Sequence, residues 1–489
     1  MELFSDLPGD EGLPGRKRRL AMIAVMTSTT MAVFDGSIVN IALPQIARAL
    51  DVPAGAAIWV SNGYLLSVAV ALATFAALAK RLGFRALFAG GLAVFTLASL
   101  GCALSSSLGW LTAMRVLQGI GGAATLSIAP AIHRSVFPNR LLGRILGLHA
   151  LLIAASTAIA PILGGTLLSV LSWQWIFAIN VPLGIVGVTL ALRTIPGEHA
   201  PTDKPFDIAG ALLSAIAMAA LILTADACSR LGAGERTLVS VLTPIAYGLT
   251  AAAAGAAFVW RQRRAQDPLL PLDMFSSSRF SMAALTSLAS FVGQGITFIA
   301  LPILFENVYD HSAFVTALLF TPWPIGIILA APHAGRLADR HQPAALATMG
   351  LSIFVIGLAL LALLPRHANA WDISWRELLC GAGFGIFQSP NNREMMANAS
   401  RERSGNASGV LAIVRTFGQC LGTTLVGVIL SVYAPQAITG ADGLMSITQS
   451  AQAIQLALWL AAAATVLGLV ISASRLRGAS ARLRREESE

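Results

Sequence analysis

Asp35 stands midway along an otherwise apolar run over residues 20–46. An ionisable side chain at a bilayer centre costs about 2.5–3.5 kcal/mol on insertion scales, so one retained there is a functional candidate. A carboxyl out of water is disfavoured in its charged form, and such a group can take up a proton. A second charge, Arg115, lies inside another apolar run, in Arg115-Val116-Leu117-Gln118-Gly119-Ile120-Gly121-Gly122. Positions 115, 118, 119 and 122 share one helical face. That face carries a fixed cation, an amide and two glycines that permit close approach of a backbone or substrate. The functional reading is proton coupling, with Arg115 holding and modulating Asp35; the plainer one is a structural ion pair.

Other chemistries find little support. There is no HExxH, no GxSxG in a setting that fits it, and no closely spaced carboxylate pair. None of the three lysines follows a glycine, so no Walker-type nucleotide loop exists. Cys102, Cys228, Cys380 and Cys420 lie far apart in apolar stretches, without a CxxC, and read as small buried hydrophobes. The chain is expected to need no cofactor and no metal, and not to be an enzyme.

The elements that position Asp35 and Arg115 follow from composition. Of 489 residues, 56% are apolar and only 12% charged, against about 25% charged in a soluble domain. Mean hydropathy is +0.72. The apolar runs are long and continuous, which selects membrane-spanning helices over a barrel. Fourteen stretches are long enough, at about 20–46, 58–78, 86–104, 108–128, 141–170, 175–192, 208–227, 238–260, 280–304, 314–334, 344–364, 373–390, 407–433 and 454–473. The net charge of +9 does not form a nucleic-acid patch. With the N-terminus in the cytoplasm, 26 of the 33 Lys and Arg fall on the cytoplasmic side and five on the other. That asymmetry sets orientation and requires an even number of spans with both ends inside. It does not separate twelve from fourteen.

An internal repeat points to two halves. Leu-Ala-x-Arg recurs in the turn around Lys80 and Arg81 and in Gly335-Arg336-Leu337-Ala338-Asp339-Arg340. A duplicated six-helix unit with two extra helices between the copies is the expected organisation, as in secondary transporters that bind at the repeat interface. The expected parts are a cytoplasmic segment 1–19, a first bundle 20–200, two additional helices 201–265, a second bundle 266–473 and a basic cytoplasmic tail 474–489. Further polar or special residues lie within the spans: Pro161, Gly164 and Gly165; Gln294 and, near the end of its helix, Glu306; Pro322, Trp323 and Pro324, which should bend theirs; Gln388; and Arg415, Gly418 and Gln419. Each either serves transport or packs helix on helix. The aromatics Trp59, Tyr64, Phe298 and Trp323 either line a drug-sized cavity or fill the core.

Taken together these residues resemble the Major Facilitator Superfamily, in its 14-helix drug:proton antiporter branch. The likeness rests on Asp35-Gly36-Ser37-Ile38-Val39-Asn40-Ile41-Ala42-Leu43-Pro44, on Trp59 to Tyr64, and on Leu111 through Gly122. It extends over Pro161 and Gly164-Gly165, the Trp173–Phe177 and Asn180-Val181-Pro182 segments, Phe206-Asp207, Asp267-Pro268-Leu269-Leu270-Pro271, and Gly335 to Arg340. These are collinear from about residue 20 to 475 and favour fourteen helices over twelve. Departures stand out. Ala76 and Lys80 replace the glycine and aspartate usual in the first loop motif, and Phe84 replaces a basic residue. Ser156 and Ala160 stand where the helix-five motif has glycines, and Glu306 where glutamine is usual, an added carboxylate suited to attracting cations or protons.

The resemblance implies an all-α polytopic fold of two pseudo-symmetric six-helix bundles plus two extra central helices, both termini cytoplasmic, multi-pass in the inner membrane. It implies a monomer that exports amphipathic, cationic small molecules in exchange for protons and touches no nucleic acid. Asp35 and Arg115 would couple protons. Trp59, Asn62, Tyr64, Gln118, Gln294, Phe298, Trp323 and Gln388 would line the cavity. Pro161, Gly164, Gly165, Lys80, Arg81, Gly335, Asp339 and Arg340 would govern the conformational change. A narrow-specificity exporter of a metabolite, siderophore or natural product, and a non-transporting ligand sensor, are the competing readings.

Overall fold

A computed structural model of the chain describes residues 12–197, 206–232, 237–265, 268–270, 272–338, 340–365, 368–398, 404–433 and 443–486. Each apolar stretch falls on helix. The helices are α1 (Gly15–Ala49), α2 (Ala54–Ala57), α3 (Trp59–Leu82), α4 (Phe84–Ala103), α5 (Leu108–Val136), α6 (Asn139–Val170), α7 (Trp175–Ala178) and α8 (Asn180–Thr194). They continue as α9 (Ile208–Gly232), α10 (Leu238–Gln262), α11 (Ser278–Ile303), α12 (Ala313–Phe320), α13 (Pro322–Leu337), α14 (Pro343–Ala362), α15 (Ala370–Ala397), α16 (Ser404–Tyr433) and α17 (Gly443–Glu486).

Their ends follow local chemistry. Ser107, Thr237, Ser277, Ser312 and Asn369 each accept a backbone N–H of the first turn that follows, which starts α5, α10, α11, α12 and α15. Gly83 turns the chain between α3 and α4 at φ 77°, a conformation that disfavours any side chain. Pro322 ends α12 and opens α13, as expected of a residue without an N–H, whereas α6 runs unbroken through Pro161. The last helix likewise continues past Ala473, so the first residues of the expected tail are helical.

Twelve helices among the described residues are long and apolar enough to cross a membrane. Two further long helices, α5 and α15, fall outside that set. The reason is polar content: α5 carries Arg115 and Gln118, and α15 carries Asp372, Arg376, Glu377 and Glu394. Several of these side chains, including Arg115, Gln118, Glu377 and Glu394, are buried against other helices.

Helices α1–α8 pack among themselves, as do α11–α17. Between the sets, α3 lies on α16 and α6 lies on α12. The second long helix of each set thus meets the fifth of the other, a reciprocal pairing that a duplicated unit generates. Helices α9 and α10 form a pair at the periphery, with α9 leaning on both α3 and α16. Only 17% of each of these two spans is buried inside the protein, against 83% for the span Ser278–Val308, so α9 and α10 face outward and α11 is central.

The apolar cores differ at the two ends. Around Ile41, Ile46, Phe177, Phe305, Ala317 and Leu430, residues of both halves join one continuous cluster. At the opposite end each half has its own, around Phe88 and Ile128 in the first and Phe280 and Met395 in the second, with Ala412 and Ile413 of α16 reaching across to the first. The halves are therefore sealed together at the end that holds the C-terminus of α1. Of the four cysteines, Cys102, Cys380 and Cys420 are buried as expected, while Cys228 on α9 is exposed.

Candidate functional site

Asp35, Arg115 and Gln118 meet in the interior of the first half, each at most 3% exposed. The α1 aspartate and α5 arginine form an ion pair through Asp35 Oδ2 and Arg115 Nη1. Gln118 Nε2 donates to Asp35 Oδ1 at 2.8 Å and to Ser99 Oγ at 2.8 Å. Asn180 Nδ2, at the start of α8, also donates to Asp35 Oδ1, at 3.3 Å. Arg115 is held in turn by the Val60 carbonyl, at 2.9 Å from its Nε, and by Gln118 Oε1, at 2.6 Å. Its guanidinium lies over the Tyr64 ring at 4.4 Å and near the Phe177 ring at 5.6 Å. Six helices thus build the surroundings of this pair, of which α5 and α8 reach the carboxylate itself and compensate its charge at close range.

The glycines of the α5 face explain how α3 comes so near. A Cβ on Gly119 would stand 2.0 Å from Ser67 Oγ and 2.5 Å from the Tyr64 carbonyl. The sequence face 115-118-119-122 therefore splits by function: the polar pair meets Asp35, and the glycines receive α3.

Chemically, the pair is mutual: neither charge has another full counter-charge beside it among the contacts described above. Removing one partner of a buried pair typically costs about 3–5 kcal/mol, because it strands the other charge.

The residues expected to line a cavity do not form one wall. Tyr64 and Gln118 belong to the buried cluster, and Tyr64 Oη donates to the Ala32 carbonyl at 3.3 Å. Asn62 spans the two halves instead: its Nδ2 donates to Thr424 Oγ1 at 2.9 Å, and its Oδ1 accepts from Thr423. Trp59 Nε1 donates outward to Asp226 of α9 at 3.0 Å. Trp323 is fully buried with its Nε1 unpartnered, packed edge-on against Phe298 and Phe354. Gln294 accepts from Gln419 of α16 at 3.0 Å, and Gln388 is half-buried on α15.

The residues assigned to conformational change lie mostly at helix contacts. Gly164 faces Ile38 of α1, and Gly165 faces Ala313 and Ala317 of α12 across the halves. Pro161 is buried within α6. Arg81 stacks over Phe206 at 5.6 Å, Gly335 packs near Ser389, and Arg340 is exposed. Asp339 and the Lys80 side chain fall outside the described residues.

Glu306 is not an open carboxylate. A single π-helical turn, Leu304–Val308, follows α11 and buries it against α1, where Arg48 Nη2 reaches it at 3.1 Å. Sequence reasoning missed several groups altogether. Glu377 on α15 is fully buried, and among the described residues neither carboxyl oxygen has a hydrogen-bond partner. Arg475, placed in the tail by sequence, is buried on α17 against Glu394 and Asn391, at 2.8 and 3.1 Å. His133 and His149, each visible in the sequence as an isolated histidine but not as a pair, face each other with ring nitrogens 2.9 Å apart. A lone acid in an apolar run was the available signal for Glu377; nothing in spacing links the others.

The sequence profile of the Major Facilitator Superfamily matches residues 25–423. The chain belongs to that superfamily. It is a multi-pass membrane transporter rather than an enzyme. An uncharacterized transporter of Escherichia coli, YebQ, is 40% identical over 425 residues, covering 86% of this chain and 91% of its own. The multidrug resistance protein Stp of Mycobacterium tuberculosis is 29% identical over 421 residues, covering 86% and 77%. The solved structure of a bacterial homologue of the human lysosomal transporter Spinster, in an inward-facing and unoccupied conformation, superposes with a TM-score of 0.65. It is 16% identical and covers 93% of this chain and 96% of that one, a likeness of fold.

Proposed function

We propose that this protein is a proton-coupled exporter of amphipathic small molecules, working by alternating access between its two halves. The observation that carries the reading is the buried Asp35, neutralised by Arg115 and braced by Gln118 and Asn180 where α1, α5 and α8 join. Fourteen spans follow if α5 and α15, whose polar residues face inward, cross together with the twelve more apolar helices. Both termini then lie in the cytoplasm, in agreement with the distribution of Lys and Arg. In that orientation the end where the cores merge faces outward, and the conformation is closed to the outside. The protein acts in the inner membrane as a monomer.

The cycle assigns one proton site to Asp35. A proton arriving from outside neutralises Asp35 and releases Arg115 from its counter-charge. The altered packing favours one orientation of the halves, and loss of the proton to the cytoplasm restores the other. One charge moving through 100 mV supplies about 2.3 kcal/mol, comparable with the differential needed to reset a two-state element. The likeness to a multidrug resistance protein supports a broad substrate range.

The test is dye uptake into proteoliposomes with and without an imposed pH gradient. Gradient-dependent accumulation is expected for the wild type and absent for Asp35→Asn, with equal incorporation of both proteins. Gradient-driven transport retained by Asp35→Asn would remove that residue from coupling.

A further inference from the structure

The resemblance implied a cationic substrate, yet the two carboxylates singled out for protons or cations are each ion-paired. Asp35 is paired with Arg115, and Glu306 with Arg48. Arg415 has no such partner. It lies on α16, inside the span Asn406–Tyr433, about 16 Å along the axis from Ser404 at 1.5 Å per residue. No described residue makes an ion pair or hydrogen bond with it. It is half-buried, and its nitrogens are not among those sealed from solvent without a partner.

The direction it faces follows from its neighbours on the helix. Gly418 and Gly422 press on α11, near Phe291 and Val292. Cys420, Thr423 and Thr424 face Asn62 of α3 in the other half. At 100° per residue, Arg415 and Gln419 share the arc between these two contacts. On that arc the Gln419 backbone packs on Gly295 of α11 while its side-chain amide donates to Gln294. One turn below Arg415, Ala412 packs toward the first half and Leu411 toward the second. Arg415 therefore stands at the seam of the two halves, on the side of the end where their cores are separate.

An unpaired guanidinium in this setting keeps five N–H donors available in a planar fork suited to an oxyanion. The low dielectric around it strengthens any such contact. We propose that Arg415 is an anion-binding subsite of the transport path, taking the carboxylate, sulfonate or phenolate of an amphipathic substrate, with Gln419 and Gln294 as neighbouring amides. The inference rests on the transport reading above and deepens it by assigning the substrate a negative rather than a positive group.

The test uses two dyes with one xanthene framework and opposite charge, fluorescein and rhodamine 6G. Binding to the full-length protein in detergent is measured by equilibrium dialysis, which needs no proton gradient. The wild type should bind fluorescein. Arg415→Gln should weaken that binding about 10- to 100-fold, the scale of a charge-assisted hydrogen bond, while rhodamine 6G changes less than about twofold on the same scale. Arg415→Lys should retain part of the affinity, and Arg415→Glu should reverse the preference between the dyes. Equal fluorescein affinity in wild type and Arg415→Gln overturns the assignment, as does no fluorescein binding by the wild type. Loss of both dyes in Arg415→Gln with Arg415→Lys normal also overturns it, in favour of a structural role. Proteoliposomes separate the two claims: a wild type that binds fluorescein through Arg415 yet moves neither dye under a pH gradient refutes the transport reading and leaves the subsite standing.

Discussion

Arg48 at the end of α1 reaches across the seam of the two halves and pairs with Glu306, which a π-helical turn after α11 holds buried. Asn307 stands 3.5 Å from the same guanidinium. Close by, Gly55 of α2 packs on Ser431 of α16. An ion pair that joins two moving bodies at one end is broken when that end opens. Glu306→Gln should therefore shift the population toward the open form of this end. In a cysteine-free background, Ser431→Cys should react severalfold faster with a membrane-impermeant thiol reagent when Glu306→Gln is added. An unchanged rate would mean that the apolar seal alone keeps this end shut.

The buried pair at the first site makes a different prediction, because both of its charges lie within one half. Arg115→Ala leaves Asp35 stranded and should lower stability by about 3–5 kcal/mol. Neutralising both, as Asp35→Asn with Arg115→Gln, should recover much of that loss without recovering proton-driven transport. Thermal unfolding in detergent measures the first effect and proteoliposome flux the second. Additive losses in the double variant would contradict a direct pair.

Two glycines should respond oppositely to the same change. A Cβ on Gly119 collides with Ser67 and Tyr64, whereas one on Gly90 of α4 meets nothing within 4 Å. Gly119→Ala should destabilise by about 1–3 kcal/mol through overpacking. Gly90→Ala should be neutral or stabilising by up to about 1 kcal/mol from helix propensity. Melting temperatures of the two variants decide it.

Asp207 gives a pH dependence with a definite sign. Burial alone pushes its carboxyl up, but hydrogen bonds from Arg261, the Gly210 N–H and Gln262 outweigh it and hold it below the ordinary value. The unfolded chain then binds a proton more readily than the folded one, so the contribution is complete above the ordinary carboxylate range, about pH 4. It is lost as the pH falls through the folded value. Asp207→Asn should flatten this acid limb of a stability profile, read by thermal unfolding between neutral pH and pH 3. A limb of unchanged steepness would mean that other carboxylates dominate.

Both carboxyl oxygens of the buried Glu377 lack a hydrogen-bond partner among the described residues. Glu377→Met keeps the volume and removes both acceptors, and should raise stability by about 1–3 kcal/mol, the usual cost of an unsatisfied buried polar group. A fall in melting temperature would show that the carboxyl is stabilised within α15.

The chain's amino acids determined by themselves that it is a helical membrane protein and where its helices run, because lipid demands long apolar segments with every backbone group bonded internally. They singled out Asp35 and Arg115, since a charge in such a segment is rare, and the α5 face that joins Arg115 to Gln118 and two glycines, since helical periodicity is local. They did not disclose partners. Asn180 completes the shell of Asp35 from 145 residues away, and Glu306 meets Arg48 across 258. Asn62 bonds to α16 across the halves, and Tyr64 and Gln118 lie in the Asp35 cluster, contacts the sequence could not give because a polar side chain in a helix shows its face but not what occupies that face. Which charges are neutralised and which stay open is a matter of tertiary packing: Asp35 and Glu306 were drawn into ion pairs, while Arg415, with no described acid paired to it, was left facing the seam.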